Sequence, residues 1–183
     1  MDCEDKKMTD KKEVLDILQH VRHDWLNKIQ LIKGYISLGR LEKAESIITD
    51  IIMESQQESR ITNLKLPEFA YMLITHNWQG SKFLVEYEVA EQVHKKVEDE
   101  TLLVLWMRDF FQQLESVVHP LYENRLAISV KPVENHNQFL FHFSGKIEHV
   151  DIIENWISNS ENRYNNVHLL KMNETELIFE FIL

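Results

Sequence analysis

The sequence has little of what a nucleotide-binding enzyme needs. Its 183 residues include 4 glycines, 3 prolines and 1 cysteine. Backbone that wraps around nucleotide phosphates needs several glycines close together, because only glycine lets the amide groups approach the ligand in unusual conformations. The shortage of glycine therefore argues against an enzyme that binds ATP or a dinucleotide on its own.

Basic clusters, paired cysteines and long apolar runs are also missing. A formal charge of −10 disfavours non-specific binding to nucleic acid, which requires clustered lysine and arginine. Cys3 has no partner cysteine in the chain, so no intramolecular disulfide can form and a reducing compartment is favoured. The densest apolar run, Leu102 to Met107, is far short of the ~20 residues of a membrane span. With no signal-peptide core at the N-terminus, we expect a cytoplasmic protein without membrane or nucleic-acid partners.

The charge divides the chain into two parts. Residues 1–65 hold 11 Lys and Arg against 12 Asp and Glu, whereas residues 66–183 hold 9 against 18. Pro67 lies just after this change, and a proline disfavours helix in the residue before it and can itself open a new helix. We therefore predict one domain over residues 1–65 and a second, acidic domain over residues 66–183.

The first part has the apolar spacing of a helical hairpin. From about Lys11 to Leu38, apolar residues recur at intervals of three, four and seven, which is typical of a helix with one apolar seam. Gly39 can end this helix, and a second apolar face follows it. The apolar residues are Val14, Leu18, Val21, Trp25, Ile32 and Tyr35, then Leu41, Ala44, Ile48, Ile51 and Ile52. Two helices cannot bury these stripes alone, so a second copy would complete a dimeric four-helix bundle. The alternative is that the hairpin folds back on the second domain.

The second part has the pattern of an α+β domain. Helices are expected at about 67–78, 98–118 and 150–158. Bulky and charged residues that roughly alternate predict a strand at about 82–89. Further strands are expected at about 126–133 and 139–143, joined by a polar turn at 134–137, and at about 167–172 and 176–183. Helices interspersed with mainly antiparallel strands predict an α/β sandwich.

One histidine has the position expected of a nucleophile. On a helical wheel of ~100° per residue, His23 lies opposite the apolar seam, flanked by Asn27 and Gln30. At neutral pH such a histidine has one unprotonated ring nitrogen and can form a covalent phosphoryl intermediate. Periodicity alone does not distinguish it from an ordinary solvated histidine. His20 lies one turn earlier, but no third ligand shares its face, so no metal set is evident.

The residues that follow His23 resemble a known phosphoacceptor motif. The string His-Asp-Trp-Leu-Asn-Lys at 23–28 continues to a Gly-x-x-x-Leu-Gly ending at 34–39. It resembles the phosphoacceptor box of bacterial sensor histidine kinases, most closely the citrate-type sensor kinases and the sporulation initiation phosphotransferase B family. The stretch at 58–78, with Ser-Arg-Ile-Thr-Asn-Leu-Lys-Leu-Pro and His-Asn-Trp, is similar to the phosphotransferase family specifically.

The scarcity of glycine separates these two relatives. A sensor kinase carries a C-terminal ATP-binding domain with an Asn-bearing helix and glycine-rich boxes. Residues 66–183 contain only Gly80 and Gly145, and the helix expected at 98–118 contains no Asn. The resemblance therefore implies a degenerate histidine-kinase ATPase domain that has lost ATP binding. In the phosphotransferase family, phosphoryl moves between aspartates of two response regulators and so controls sporulation initiation.

The resemblance implies an enzyme, a phosphotransferase with a phosphohistidine intermediate at His23 and no use of ATP. Asn27 can hydrogen-bond near the ring, and Asp24 is the family's acidic neighbour. Arg22 and Lys28 can offset phosphoryl or receiver-carboxylate charge. A solvated charged face is the alternative for Arg22, Asp24 and Lys28. No cofactor is expected on this chain, and the Mg²⁺ that such transfers use is expected on the response regulator.

Two other classes of function stay open. The hairpin could be a non-enzymatic module that binds a response regulator or a kinase and inhibits it. A true ATP-dependent kinase is the third class, and the glycine count argues against it. Because a receiver's phosphorylation site is itself acidic, we expect the negative charge of residues 66–183 to lie away from the partner surface.

Overall fold

A computed structural model describes residues 3–93, 100–134, 136–163 and 166–183. The chain forms two compact units, residues 1–56 and 57–183. The domain boundary after Lys65 stays a prediction. Within the described residues, no helix is both long and apolar enough to cross a membrane.

The first unit is a helical hairpin, as the apolar spacing predicted. Helix α1 spans Cys3–Ser37, and α2 spans Leu41–Asn63, so the last turns of α2 belong to the second unit. Gly39 has a φ of 69°, in the left-handed region that favours glycine. Arg40 N–H donates to the Tyr35 carbonyl and Gly39 N–H to the Ile36 carbonyl, which is the Schellman pattern that ends a helix. The Cys3 side chain lies outside the described part of the chain.

The hairpin covers only a narrow strip of its apolar surface. Ala44 is 3% exposed, and Ile32, Ile47 and Ile51 are half-buried. The Lys43 ammonium lies 5.7 Å from the centre of the Tyr35 ring and adds a second contact between the helices. Thirteen large apolar side chains of α1 and α2 remain between 36% and 64% exposed. They are Val14, Leu15, Leu18, Val21, Trp25, Leu26, Ile29, Leu31, Ile36, Leu41, Ile48, Ile52 and Met53.

The second unit contains a five-stranded mixed sheet. The strands are β1 Leu84–Val89, β2 Arg125–Val133, β3 His136–Ser144, β4 Val167–Met172 and β5 Glu176–Ile182. Their order is β1-β2-β3-β5-β4. The pair β1–β2 is parallel and the other neighbours are antiparallel. A parallel pair needs a crossover connection, and the segment between β1 and β2 contains a helix that serves as one.

Three helices pack on one face of this sheet. They are α3 Pro67–His76, α4 Thr101–Val117 and α5 Val150–Arg163. Alternate residues of each strand are buried, as in Leu126, Ile128 and Val130 of β2, and the residues between them are exposed or half-buried. Two layers of this kind confirm the predicted α+β class. The expected start of α4 near 98 and residue 135 of the predicted turn lie outside the described residues.

Two side chains join the segments of the second unit. Glu100 accepts hydrogen bonds from the N–H groups of Glu68 and Phe69, at 3.2 and 3.1 Å, and so caps α3, whose own N-cap residue makes no side-chain bond. Asn124 is 2% exposed. Its amide donates to the carbonyls of Lys82 and His119 and accepts from Lys146 N–H, each at 2.9 Å. These bonds hold the loops before β1, β2 and α5 together.

Candidate functional site

His23 projects from the middle of α1 into solvent. Its side chain is 72% exposed. The residues that share its face, Gln19, Gln30 and Gly34, are exposed as well. A Cβ added at Gly34 would meet nothing within 4 Å. A partner's surface can therefore approach the ring and lie along the helix beyond it.

Two polar side chains meet the ring of His23 at the same nitrogen. The amide nitrogen of Asn27 lies 3.2 Å from His23 Nδ1, and a carboxylate oxygen of Asp24 lies 3.6 Å from it. Asn27 is within reach because residues four apart on a helix are neighbours. Asp24 reaches Nδ1 although adjacent residues point ~100° apart. The structure thus brings both predicted neighbours to Nδ1, and neither contact involves Nε2.

These contacts connect the tautomer of His23 to its reactivity. With the amide nitrogen of Asn27 donating to Nδ1, the neutral ring carries its proton on Nε2. A half-turn of the amide presents its oxygen instead, and Nδ1–H then donates to Asn27 while Asp24 lies alongside. In this second tautomer, Nε2 carries the lone pair, and neither Asn27 nor Asp24 contacts that nitrogen. Asp24 favours the tautomer that is protonated on Nδ1, because a carboxylate attracts the positive end of the Nδ1–H bond.

The two predicted cations lie elsewhere on α1. Arg22 is exposed and lies ~100° around the helix from His23, whereas Lys28 lies ~140° around it. The Lys28 ammonium forms an ion pair with Glu54 of α2. Nothing in the sequence points to Glu54, because a contact between residues 26 positions apart leaves no local signal. The structure therefore places Asn27 and Asp24 at the ring and directs Lys28 towards the second helix.

The two glycines of the second unit are explained by a turn and by close packing. Gly80 has a φ of 69° in the turn after α3. A Cβ at Gly145 would lie 2.3 Å from Asn124 Oδ1 and 2.7 Å from Phe143, so this glycine allows close packing. Neither belongs to a glycine-rich loop. In the described part of the chain, no group of three or more His, Cys, Asp or Glu residues could hold a metal ion.

Aromatic rings fill the space between α4 and the sheet. Trp106 is fully buried, and its ring centre lies 4.8 Å from that of Phe141 and 5.1 Å from that of Phe110. Its indole N–H has no hydrogen-bond partner among the described residues. Such a donor costs about 1–3 kcal/mol when buried. The layer that joins α4 to the sheet is thus a packed apolar core.

A cleft of about 530 Å³ lies between α3 and α4. His76 lines it, packed 4.6 Å from Phe83 and 4.9 Å from Phe111 between ring centres. Burial lowers the pKa of His76 below its ordinary value, against the opposing effect of a hydrogen bond to the Phe83 carbonyl. The neutral ring is therefore the form that this fold accommodates.

Comparison with known proteins gives two family matches. The model described as Sensor_kinase_SpoOB-type, alpha-helical domain, matches residues 4–64, and Sporulation initiation phospho-transferase B, C-terminal, matches residues 65–183. Sporulation initiation phosphotransferase B of Bacillus subtilis (strain 168) is 34% identical over 119 residues. That alignment covers 65% of this chain and 62% of the relative, so it spans less than two thirds of the relative's length.

A solved structure also aligns with the chain. It is the histidine kinase AdeS of Acinetobacter baumannii, at 12% identity and a TM-score of 0.41. The alignment covers 88% of this chain and 96% of that one.

Proposed function

Because the chain belongs to the sporulation initiation phosphotransferase B family, we propose that it is a phosphotransferase in a sporulation phosphorelay. It accepts a phosphoryl group on His23 from the aspartyl phosphate of one response regulator and passes it to the aspartate of a second. The observation that supports this most strongly is the ring of His23, exposed on a helix with Asn27 and Asp24 both at Nδ1.

The forward step is an in-line displacement. The lone pair of His23 Nε2 forms the N–P bond while the bond between phosphorus and the aspartyl oxygen breaks, and the donor's carboxylate leaves with the electron pair. The ring keeps its proton on Nδ1, so it becomes a positively charged phosphoimidazolium. Asp24, 3.6 Å from Nδ1, stabilises that charge.

The second step reverses the first on another receiver. A carboxylate oxygen of the acceptor attacks phosphorus, the N–P bond breaks, and the electron pair returns to Nε2. No proton has to leave the ring in either direction, because Nδ1–H is retained throughout. Catalysis then consists of positioning and charge stabilisation, for which a helix that holds Asn27 and Asp24 at Nδ1 is suited.

The surroundings of His23 suit an acidic partner that brings its own metal ion. Arg22 on the flank of the exposed face offers positive charge to a receiver's acidic pocket. Mg²⁺ belongs to that pocket rather than to this chain. To Lys28 we assign a role in the hairpin, since its ammonium is directed to Glu54.

The same proposal includes a homodimer. The exposed apolar side chains of α1 and α2 form stripes that a single hairpin leaves in water. Each such side chain contributes about 1.5–3 kcal/mol when fully buried. A second hairpin packed on these stripes makes a four-helix bundle that presents two copies of His23.

The proposal makes the source of the phosphoryl group testable. The full chain is incubated either with a receiver carrying a labelled aspartyl phosphate or with labelled ATP. We expect acid-labile label on the chain from the receiver and none from ATP. His20→Gln, one turn away on the same helix, is the matched control and should label normally, whereas His23→Gln should not. Labelling from ATP alone, or a stable complex without exchange, would contradict the proposal.

A further inference from the structure

Strand β1 forms one edge of the sheet, and half of its backbone groups face away from the sheet. Among the strands that the structure describes, it pairs with β2 alone. The N–H groups of Leu84 and Ala90 donate to the carbonyls of Asn124 and Val130, both at 2.9 Å. Even-numbered residues therefore bond towards β2, and Val85, Tyr87 and Val89 turn their N–H and C=O groups outwards. An open edge of this kind is a template on which another strand can add.

One side chain completes the hydrogen bonding of Val85. Asn77 Oδ1 accepts from Val85 N–H at 2.8 Å, and Asn77 Nδ2 donates to the Val85 carbonyl at 2.9 Å. A single amide thus replaces both bonds that a neighbouring strand would make. Asn77 is in position because it is the C-cap residue of α3, which ends beside β1. The side-chain amide of Asn carries an acceptor and a donor on one planar group, as the peptide group of a neighbouring strand does.

Two residues of α2 do the same for Val89. Gln57 Oε1 accepts from Val89 N–H at 2.7 Å, and Arg60 Nη1 donates to the Val89 carbonyl at 3.1 Å. Arg60 is itself held by Glu91, at 2.9 Å from Nη2. All of these residues belong to the second unit. Arg60 and Asn77 also lie in the stretch at 58–78 that resembles the phosphotransferase family, and phosphoryl transfer leaves them without a role.

We propose that Asn77, Gln57 and Arg60 close the β1 edge against strand addition by a second copy of this chain. The occupant that they exclude is another β1, because two identical edges that lack these bonds offer the same outward N–H and C=O groups of Val85 and Val89 and can pair antiparallel. With the β1 edge closed by these three side chains, copies of the chain associate through the hairpin instead. The same bonds fasten the last two turns of α2 to the sheet.

Hydrogen exchange of individual amides tests the caps one at a time. In the full chain, Asn77→Ala should speed exchange of the Val85 amide about five- to tenfold, the effect of one lost hydrogen bond, and leave Val89 unchanged. Gln57→Ala should do the reverse. Asn77→Asp and Gln57→Glu retain the acceptor and should preserve protection of the same amide. Unchanged exchange of Val85 and Val89 in the alanine variants would overturn the assignment.

The size of the assembly tests whether removing the three side chains allows a second copy to add at the β1 edge. Sedimentation of the triple variant Gln57→Ala, Arg60→Ala, Asn77→Ala should show species larger than the wild-type assembly, growing with concentration, while far-UV circular dichroism remains native. Adding Tyr87→Pro should restore the wild-type size, because an edge strand tolerates proline and a proline on the edge blocks the addition of another strand. A folded triple variant of wild-type size, or larger species that persist with the proline, would contradict closure against strand addition.

Discussion

Lys28 could either contact the transferring phosphoryl group or hold the hairpin together, and the two roles predict very different losses of transfer rate when Lys28 is replaced. If its ammonium served the transferring phosphoryl group, removing it would cost about 100-fold or more in transfer rate, as the loss of a transition-state donor does. The structure instead pairs Lys28 with Glu54, with side chains 37% and 55% exposed. An exposed ion pair contributes about 0.2–1 kcal/mol, which corresponds to about 1.4- to 5-fold. We therefore expect Lys28→Met to slow transfer by no more than about fivefold.

Exchanging the charges of Lys28 and Glu54 distinguishes the two roles further, because the two roles predict changes in transfer rate in opposite directions. In the double variant Lys28→Glu, Glu54→Lys, the ion pair can form again, so the transfer rate should return towards that of the wild type. The assay is rapid-quench measurement of transfer from a phosphorylated receiver, with circular dichroism to confirm the helices. If residue 28 contacted the phosphoryl group, the negative charge introduced by Lys28→Glu would repel that group and slow transfer. A double variant slower than Lys28→Met would therefore refute the pairing role.

Three further predictions concern stability and assembly. Gly145→Ala should destabilise the second unit by about 2–4 kcal/mol in urea unfolding, because its Cβ would displace Asn124 from up to three hydrogen bonds; a change below about 0.5 kcal/mol would show that the site relaxes freely. Stability should fall as pH drops below about 6.5, by at most about 1.4 kcal/mol per pH unit from His76, because the unfolded chain binds a proton that the native ring resists; His76→Gln should remove that part of the pH dependence, and an unchanged slope would contradict it. Leu18→Glu, on the exposed stripe of α1, should convert the dimer to a monomer in sedimentation, and a dimer that persists would exclude this stripe from the interface.

The sequence predicted what depends on local periodicity. The spacing of apolar residues between Val14 and Tyr35 predicted α1. Gly39 predicted the turn, because a residue with left-handed backbone conformation is needed there. All five strands were predicted to within a few residues, although β3 begins at His136, inside the turn expected at 134–137. The contact between His23 and Asn27 was predictable for the same reason, since residues four apart on a helix must be neighbours.

Contacts between distant segments could not be predicted in this way. Alternation marks β1 and β2 as strands but does not say that they pair in parallel. Nothing in the residues near Lys28 points to Glu54, and nothing near Asn77 identifies it as the cap of Val85. Such pairs depend on how elements pack, and the apolar pattern constrains packing only through which faces must be buried.

The central claim is that the phosphoryl group passes through His23 Nε2 on its way between two receivers. A rapid-quench pulse–chase follows label from a phosphorylated donor receiver to this chain and then to an acceptor receiver. We expect label on His23 to rise before label on the acceptor and to decay at the rate at which the acceptor gains it, and we expect His23→Gln to abolish both. Label that reaches the acceptor at the wild-type rate in the His23→Gln variant would contradict the account.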